Sequence, residues 1–245
     1  MKYLFKILLF LFLPLYWSAA ETKHPGVPIR TDLLLHKQGF TLGYSHRFRQ
    51  ALWVEYTLTA EHLLGKQFSR HNKFKADPAV KKNPVHPRDY ARSGYDKGHL
   101  APAADMTYSV QSMDNSFLMT NISPQIPGCN RGIWKRLENK VRRWAIREEK
   151  LHIITGPVFI SPRQQMKRSR IPVPQAFYKV ILDLTPPQKM IAFIVPNKTS
   201  KSQLSSFAVS VKEVENITGF NFFSDLDDNL GKHLKRSSNY KIWEQ

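Results

Sequence analysis

The sequence predicts an α+β fold, and three observations carry that prediction. Apolar and polar residues alternate in "GFTLGYS" and "ALWVEYTLT", the period of half-buried strands. The segment "NRGIWKRLENKVRRWAIREEK" instead repeats its apolar residues at helical spacing. Strands and helices follow one another without regular alternation, which is the α+β pattern.

The chain has 245 residues, 42% hydrophobic and 23% charged, enough for a sizeable core. It opens on "MKYLFKILLFLFLPLYWSAA", with Lys2 and Lys6, an apolar run from Ile7 to Leu13, Pro14, then Ser18, Ala19 and Ala20. That order predicts a secretory signal peptide over 1–20, cut after Ala20. A membrane anchor needs about 20 apolar residues, and Pro14 interrupts this run. Residues 21–245 are expected as a single domain, secreted or periplasmic, with no stable membrane span.

"ETKHPGVPIR" is an exposed lead-in, and the two alternating segments pair as strands. "LTAEHLLG" is a short helix, with Thr59 as cap, Glu61 in the first turn and Gly65 at the stop. From Phe68 to Tyr95 the chain is basic and rich in Pro, Asn and Asp, a long surface loop of the kind that usually serves a purpose. "NRGIWKRLENKVRRWAIREEK" is a helix from Asn130 to Lys150 that buries Ile133, Trp134, Leu137, Val141, Trp144 and Ala145. At 100° per residue, Asn130, Glu138 and Arg142 edge one groove beside that stripe. "LHIITGPVFI" is a strand. "QAFYKVILDL" and "KMIAFIVPN" form a hairpin joined through Thr185, Pro186 and Pro187, and "SSFAVSVKEVENITG" is a helix stopped by Gly219.

The formal net charge is +18, of which Lys2 and Lys6 contribute two, so the mature chain carries +16. Such a chain attracts polyanions: nucleic acid, anionic lipid or acidic polysaccharide. The single cysteine, Cys129, excludes an internal disulfide and sits in no nucleophile signature, so it reads as a small filler. "SDLDDNLG" has the spacing of a calcium loop but holds Leu230 at the glycine position and Arg236 at the last, so it reads as a polar turn. Asn121, Asn197 and Asn216 begin glycosylation sequons.

The chemistry concentrates in "SGYDKGHLAPAADM", Ser93 to Met106. Gly98 lets backbone come close to a partner, and Pro102 forbids a continuing helix. His99, neutral at pH 7, can take a proton from water. Lys97 or Arg92 can meet an anion, and Asp96 can hold a neighbouring amide or guanidinium.

This stretch, followed by "TNISPQIPGCNRGIWKRLE", resembles the non-specific DNA/RNA endonucleases, the ββα-metal or His-Me finger nucleases with a DRGH motif. The likeness comprises the Asp-(Arg or Lys)-Gly-His core, the Asn-x-Ser-Pro-Gln segment, and an asparagine that opens a helix eight positions before a glutamate. It implies a central antiparallel sheet flanked by helices. It implies a secreted, sugar-non-specific, Mg²⁺-dependent hydrolase, with Mn²⁺ as a substitute metal, leaving 5′-phosphate ends on DNA and RNA. His99 would be the general base, Asn130 the direct metal ligand and Glu138 the holder of the metal's waters. Arg142 and Arg70 would contact phosphate. Lys97, Arg92, Arg136, Asn121 and Gln125 would bind or shape substrate, and Asp96 would support them. A homodimer and an inhibitor protein are the partners such nucleases suggest. Lys97 stands where arginine is commonest; it keeps the charge but not the two-pronged grip. The "KKNPVHPR" and "KRSR" clusters read as nucleic-acid tracks. Two rival readings are a nuclease-like protein that binds nucleic acid without cutting it, and a polyanion-binding envelope protein.

Overall fold

The structure is a computed structural model; it describes Gly26, residues 31–161 and residues 164–245. The expected signal peptide and most of the lead-in lie outside these residues. Among them, no helix is long and apolar enough to cross a membrane.

In chain order the elements are β1 (Leu33–Lys37), β2 (Phe40–Ser45), β3 (Gln50–Thr59), α1 (Ala60–Leu64), β4 (Asp96–His99), α2 (Val110–Ser116), β5 (Ile122–Gln125), α3 (Lys135–Arg147), β6 (Lys150–Val158), β7 (Ala176–Asp183), β8 (Lys189–Pro196), β9 (Ala208–Val209), α4 (Val211–Thr218) and α5 (Asp228–Arg236). Seven strands make one antiparallel sheet in the order β1-β2-β3-β6-β7-β8-β9, while β4 and β5 pair separately. The expected α+β architecture, a central antiparallel sheet with helices on both faces, is what forms.

Period-two alternation sorts the sheet's side chains between two cores. On one face Val54, Tyr56, Ile153, Phe177, Ile181 and Phe193 pack against Ile133, Trp134, Leu137, Val141 and Trp144. On the other, Trp53, Ile154, Tyr178, Val180 and Ala192 pack with Val211 and Val214 of α4 and Leu234 of α5. Strand β7 is buried along its whole length, as a central strand covered on both faces must be. It nevertheless carries Lys179 into the core on the α3 side.

Local chemistry explains the element ends. Thr59 caps α1 by accepting from the His62 amide at 3.1 Å. The expected helix over 205–219 starts only at Val211. Ser210 and Glu213 form a reciprocal capping box there, and the residues before it form a 3₁₀ turn and the edge strand β9. Gly219 ends α4 at φ 71°, a conformation suited to glycine. The polar turn at Asp227 proves to be another cap, its carboxylate accepting from the Asn229 and Leu230 amides at the start of α5. Cys129 is buried with its thiol 3.6 Å from the Pro196 carbonyl, a packing residue.

Candidate active site

The paired strands β4 and β5 are the platform of the site. Their register sets Asp96 opposite Gln125 and His99 opposite Ile122. Gly98 is required at its position because a Cβ there would overlap the fully buried Gln125 amide. Past β5 the chain enters a π-helical turn, Cys129–Trp134, which kinks at Gly132 before α3 begins. The helix expected from Asn130 to Lys150 is therefore two pieces, and it ends at Arg147. Asn130 and Glu138 still share a groove, but the kink sets their relation, not an unbroken 100° step.

β4, the turn at 102–104, the π turn and α3 wall a cleft of about 530 Å³ with the loop around Arg70. Arg70, Asp96, Lys97, His99, Asn130, Glu138 and Arg142 all line it. Seven of the expected site residues, scattered over 73 positions of sequence from 70 to 142, thus meet in one place.

Asp96 organises the cleft's mouth. One carboxylate oxygen accepts from the Asn130 amide nitrogen at 2.9 Å and from Arg131 Nε at 2.8 Å; the other accepts from Arg131 Nη2 at 2.7 Å. Burial pushes the Asp96 carboxyl up, but the bonds from Arg131 and Asn130 outweigh it and hold it below the usual carboxylate range. With its nitrogen committed to Asp96, Asn130 has its carbonyl oxygen as the remaining polar group to offer a ligand.

His99 is half-buried between Phe74 and Phe117, with ring centroids 5.5 and 5.0 Å away. Its Nε2 is shielded from solvent and has no hydrogen-bond partner among the described residues. Burial, helped by the Arg70 guanidinium, depresses the imidazole to about 3, so it is neutral at pH 7. The aromatic pair also carries two of the cleft's cations: Arg70 lies 5.8 Å from the Phe117 centroid and Lys97 5.0 Å from that of Phe74.

Below the cleft lies a buried polar network. Asp105 accepts from Arg142 Nη1 at 2.6 Å and from the Tyr56 hydroxyl at 3.0 Å. Lys179 Nζ is 3.5 Å from that hydroxyl and 5.1 Å from the Trp134 ring centroid. Burial pushes the Glu138 carboxyl up, with Lys179 as the strongest opposing influence. Burial lowers Lys179 in turn, with Glu138 opposing.

Four expected substrate-binding residues lie outside the cleft. Asn121 is buried behind it, where its side chain bonds both the amide and the carbonyl of Ala101 at 2.9 Å; that also leaves no room for a glycan. Gln125 is buried against Gly98. Neither lines the cleft: Asn121 ties down the segment after β4 and Gln125 pairs with Asp96 across the β4–β5 ladder. Arg136 is exposed and donates to the Ser202 carbonyl. Arg92 lines a separate concavity with Lys167 and Arg168. Sequence reasoning gave no role to Arg131, Asp105, Lys179, Phe74 or Phe117. Asp105 stands out in the sequence only as the second acid of the His99 stretch; nothing local marks the others.

The family model described as DNA/RNA non-specific endonuclease matches residues 18–229. "Nuclease C1" of Cunninghamella echinulata var. echinulata is 35% identical over 222 residues, covering 82% of this chain and 87% of that protein. Mouse "Nuclease EXOG, mitochondrial" is 34% identical over 220 residues, covering 82% of this chain and 60% of that protein. Among solved structures, a chain of the "EndoG/EndoGI complex" superposes with a TM-score of 0.72 at 28% identity, covering 83% of this chain and 89% of that one. Family, relatives and superposition agree with a platform of two short strands and a helix that gathers His99, Asn130 and Glu138: this chain belongs to the DNA/RNA non-specific endonucleases.

Proposed function

We propose that the protein is an exported, Mg²⁺-dependent endonuclease that hydrolyses DNA and RNA to 5′-phosphate ends, with His99 as general base. One observation carries the reading: a neutral imidazole and a carboxamide anchored through its nitrogen line the same cationic cleft.

The donor set fits a hard, hydrated cation. Among the described residues no group of three or more His, Cys, Asp or Glu is placed to hold a metal. A carboxamide oxygen with two acids nearby, Asp96 already engaged by Asn130 and Arg131, suits Mg²⁺, which prefers oxygen and keeps several waters. Asn130 would hold it through its carbonyl oxygen, and Glu138 would accept hydrogen bonds from its waters. When bound, the ion supplies charge neutralisation at the phosphate and stabilises the departing 3′ oxygen.

The protein's own residues do the rest. Arg70, Lys97 and Arg142 bring positive charge to the phosphate, and none of them reads a base. His99 takes one proton from a water as that water's oxygen bonds to phosphorus. The bond from phosphorus to the 3′ oxygen breaks, and the 3′ oxygen gains a proton from solvent. An incoming phosphate also screens Arg70, which restores proton affinity to an imidazole that Arg70 otherwise depresses. The grip is on phosphate and sugar identity is not needed, which supports activity on both polymers.

Export through residues 1–20 is part of this proposal, as are a second copy of the chain and an inhibitor as protein partners. The structural relative is itself described in complex with EndoGI. N-terminal sequencing of protein recovered outside the cytoplasm should begin at Glu21; an intact Met1 on an internal protein would refute export. Purified mature protein should degrade plasmid DNA and RNA with Mg²⁺ or Mn²⁺, and EDTA should stop it. Unchanged turnover in His99→Ala would overturn the mechanism.

A further inference from the structure

Beside the cleft is a second concavity of about 440 Å³, between the turn at 89–95 and the loop at 164–168. Arg92, Lys167 and Arg168 line it together with Tyr95 and Gln164. All three cations are exposed, and none has an ion pair or hydrogen bond among the described residues. The lone carboxylate in the lining, Asp89, is already engaged: it meets Arg49 at 3.3 Å and accepts from the His86 amide at 3.0 Å. Among the described residues the concavity therefore carries positive charge that no free acid of its lining offsets.

Its walls are firmly based. Met166, Ile171 and Val173 are buried with Tyr90 and Ile122 in a small core, and Tyr95 packs against it. The loop closes on itself through Met166 N to Ile171 O at 2.9 Å and Val173 N to Gln164 O at 2.8 Å. Ile122 is the partner of His99 in the β4–β5 ladder, so one platform carries both concavities. Arg92 is held at φ 53°, a left-handed conformation that is strained for a non-glycine residue and that often marks a functional position.

The two concavities adjoin along the chain: Tyr95 lines one and Asp96 the other. Tyr95 and Asp96 are consecutive, one Cα step of about 3.8 Å apart, so a backbone bound in the cleft need only cross that junction to reach the second concavity. We propose that this concavity is a flanking-phosphate subsite, in which Arg92, Lys167 and Arg168 grip the substrate backbone away from the scissile bond. The proposal rests on the nucleic-acid reading of the cleft and extends it: substrate length, not base identity, would set affinity.

The test is binding in EDTA, which separates grip from turnover. Labelled single-stranded oligonucleotides, one long and one a dinucleotide, are titrated by anisotropy over a range of KCl. The triple variant Arg92→Ala/Lys167→Ala/Arg168→Ala should bind the long strand about tenfold or more weakly, with a log–log salt slope shallower by about 2, since each lost contact removes about 0.7. The dinucleotide, which fills only the cleft, should bind as to wild type. A single Arg168→Glu should weaken the long strand in the same direction. Lys232→Ala/Arg236→Ala, on α5 against the opposite sheet face, should leave the slope unchanged. A wild-type slope in the triple variant would overturn the proposal, as would an equal loss from the α5 control or from the dinucleotide. If wild-type protein binds but does not cut with Mg²⁺, the catalytic reading falls, and the slopes in EDTA still decide the subsite.

Discussion

Removing the Asp105 carboxylate, in Asp105→Ala, strips the base of the cleft of its central acceptor. Asp105 is 3% exposed, and it holds Arg142 at 2.6 Å and the buried Tyr56 hydroxyl at 3.0 Å. Breaking a buried ion pair by deleting one partner costs about 3–5 kcal/mol, because the other charge stays behind without compensation. The Arg142 side chain is 18% exposed and keeps its contact to Asn139, which argues for the lower end. The stranded Tyr56 hydroxyl adds about 1 kcal/mol. The expected loss is thus about 4 kcal/mol, a large part of the roughly 5–15 kcal/mol by which a domain is stable. Urea unfolding followed by tryptophan fluorescence reads it directly, since Trp53, Trp134, Trp144 and Trp243 are all buried. With m near 3 kcal/mol/M, the midpoint should fall by about 1.3 M. The double variant Asp105→Ala/Arg142→Met should recover much of this, with a coupling of about 1–3 kcal/mol. A single-variant loss under about 1 kcal/mol, or strict additivity in the cycle, would refute the network.

Further outcomes follow from the same geometry. Lys179→Met removes a buried ammonium that has no carboxylate within ion-pair distance among the described residues, so urea stability should change by less than about 1 kcal/mol or rise. Turnover should nevertheless fall about tenfold, and the acid limb of the pH–rate profile should move to higher pH because Glu138 loses its main counter-charge. His99 is depressed to about 3 in the fold against its ordinary value of 6.5, so the unfolded chain takes up a proton there first as pH falls. Stability should therefore drop by up to about 1.4 kcal/mol per pH unit on acidification through that window, and His99→Asn should flatten the dependence of the urea midpoint on pH. Gly98→Ala should cost about 1–3 kcal/mol in thermal or urea unfolding, because buried Gln125 has nowhere to swing. Asp96→Ala frees the Asn130 amide and should weaken Mg²⁺ affinity by about tenfold or more, measured by calorimetry; an unchanged affinity would refute the anchoring role.

Much of the molecule is legible from the sequence because its causes lie a few residues apart. Thr59 caps the amide three positions on, alternation places Val54 and Tyr56 on one sheet face, and the stripe from Ile133 to Ala145 is buried as its spacing dictates. The Asp96–His99 motif is likewise contiguous, which is why the cleft's chemistry can be named before its shape. The helix boundaries at Asn130 and Val211 are less legible. The backbone departs from helical geometry at Gly132, and Ala208 and Val209 are taken up as an edge strand by pairing with β8, neither of which the apolar spacing marks.

Read alone, the residues supply the inventory: an α+β chain of high positive charge that holds the histidine, the carboxamide and the acid that the proposed chemistry would use. Folding settles which neighbours those groups keep. Arg131 reads as one more surface arginine until Asp96 closes on it, and Lys179 reads as a strand residue until β7 carries it under Glu138. Arg92, Arg136, Asn121 and Gln125 carry plausible chemistry, yet the fold turns two of them outward beyond the cleft and buries the other two. Periodicity is written in local spacing, whereas a charge's partner is set by contacts between residues tens of positions apart, and those exist only once the sheet and α3 have packed.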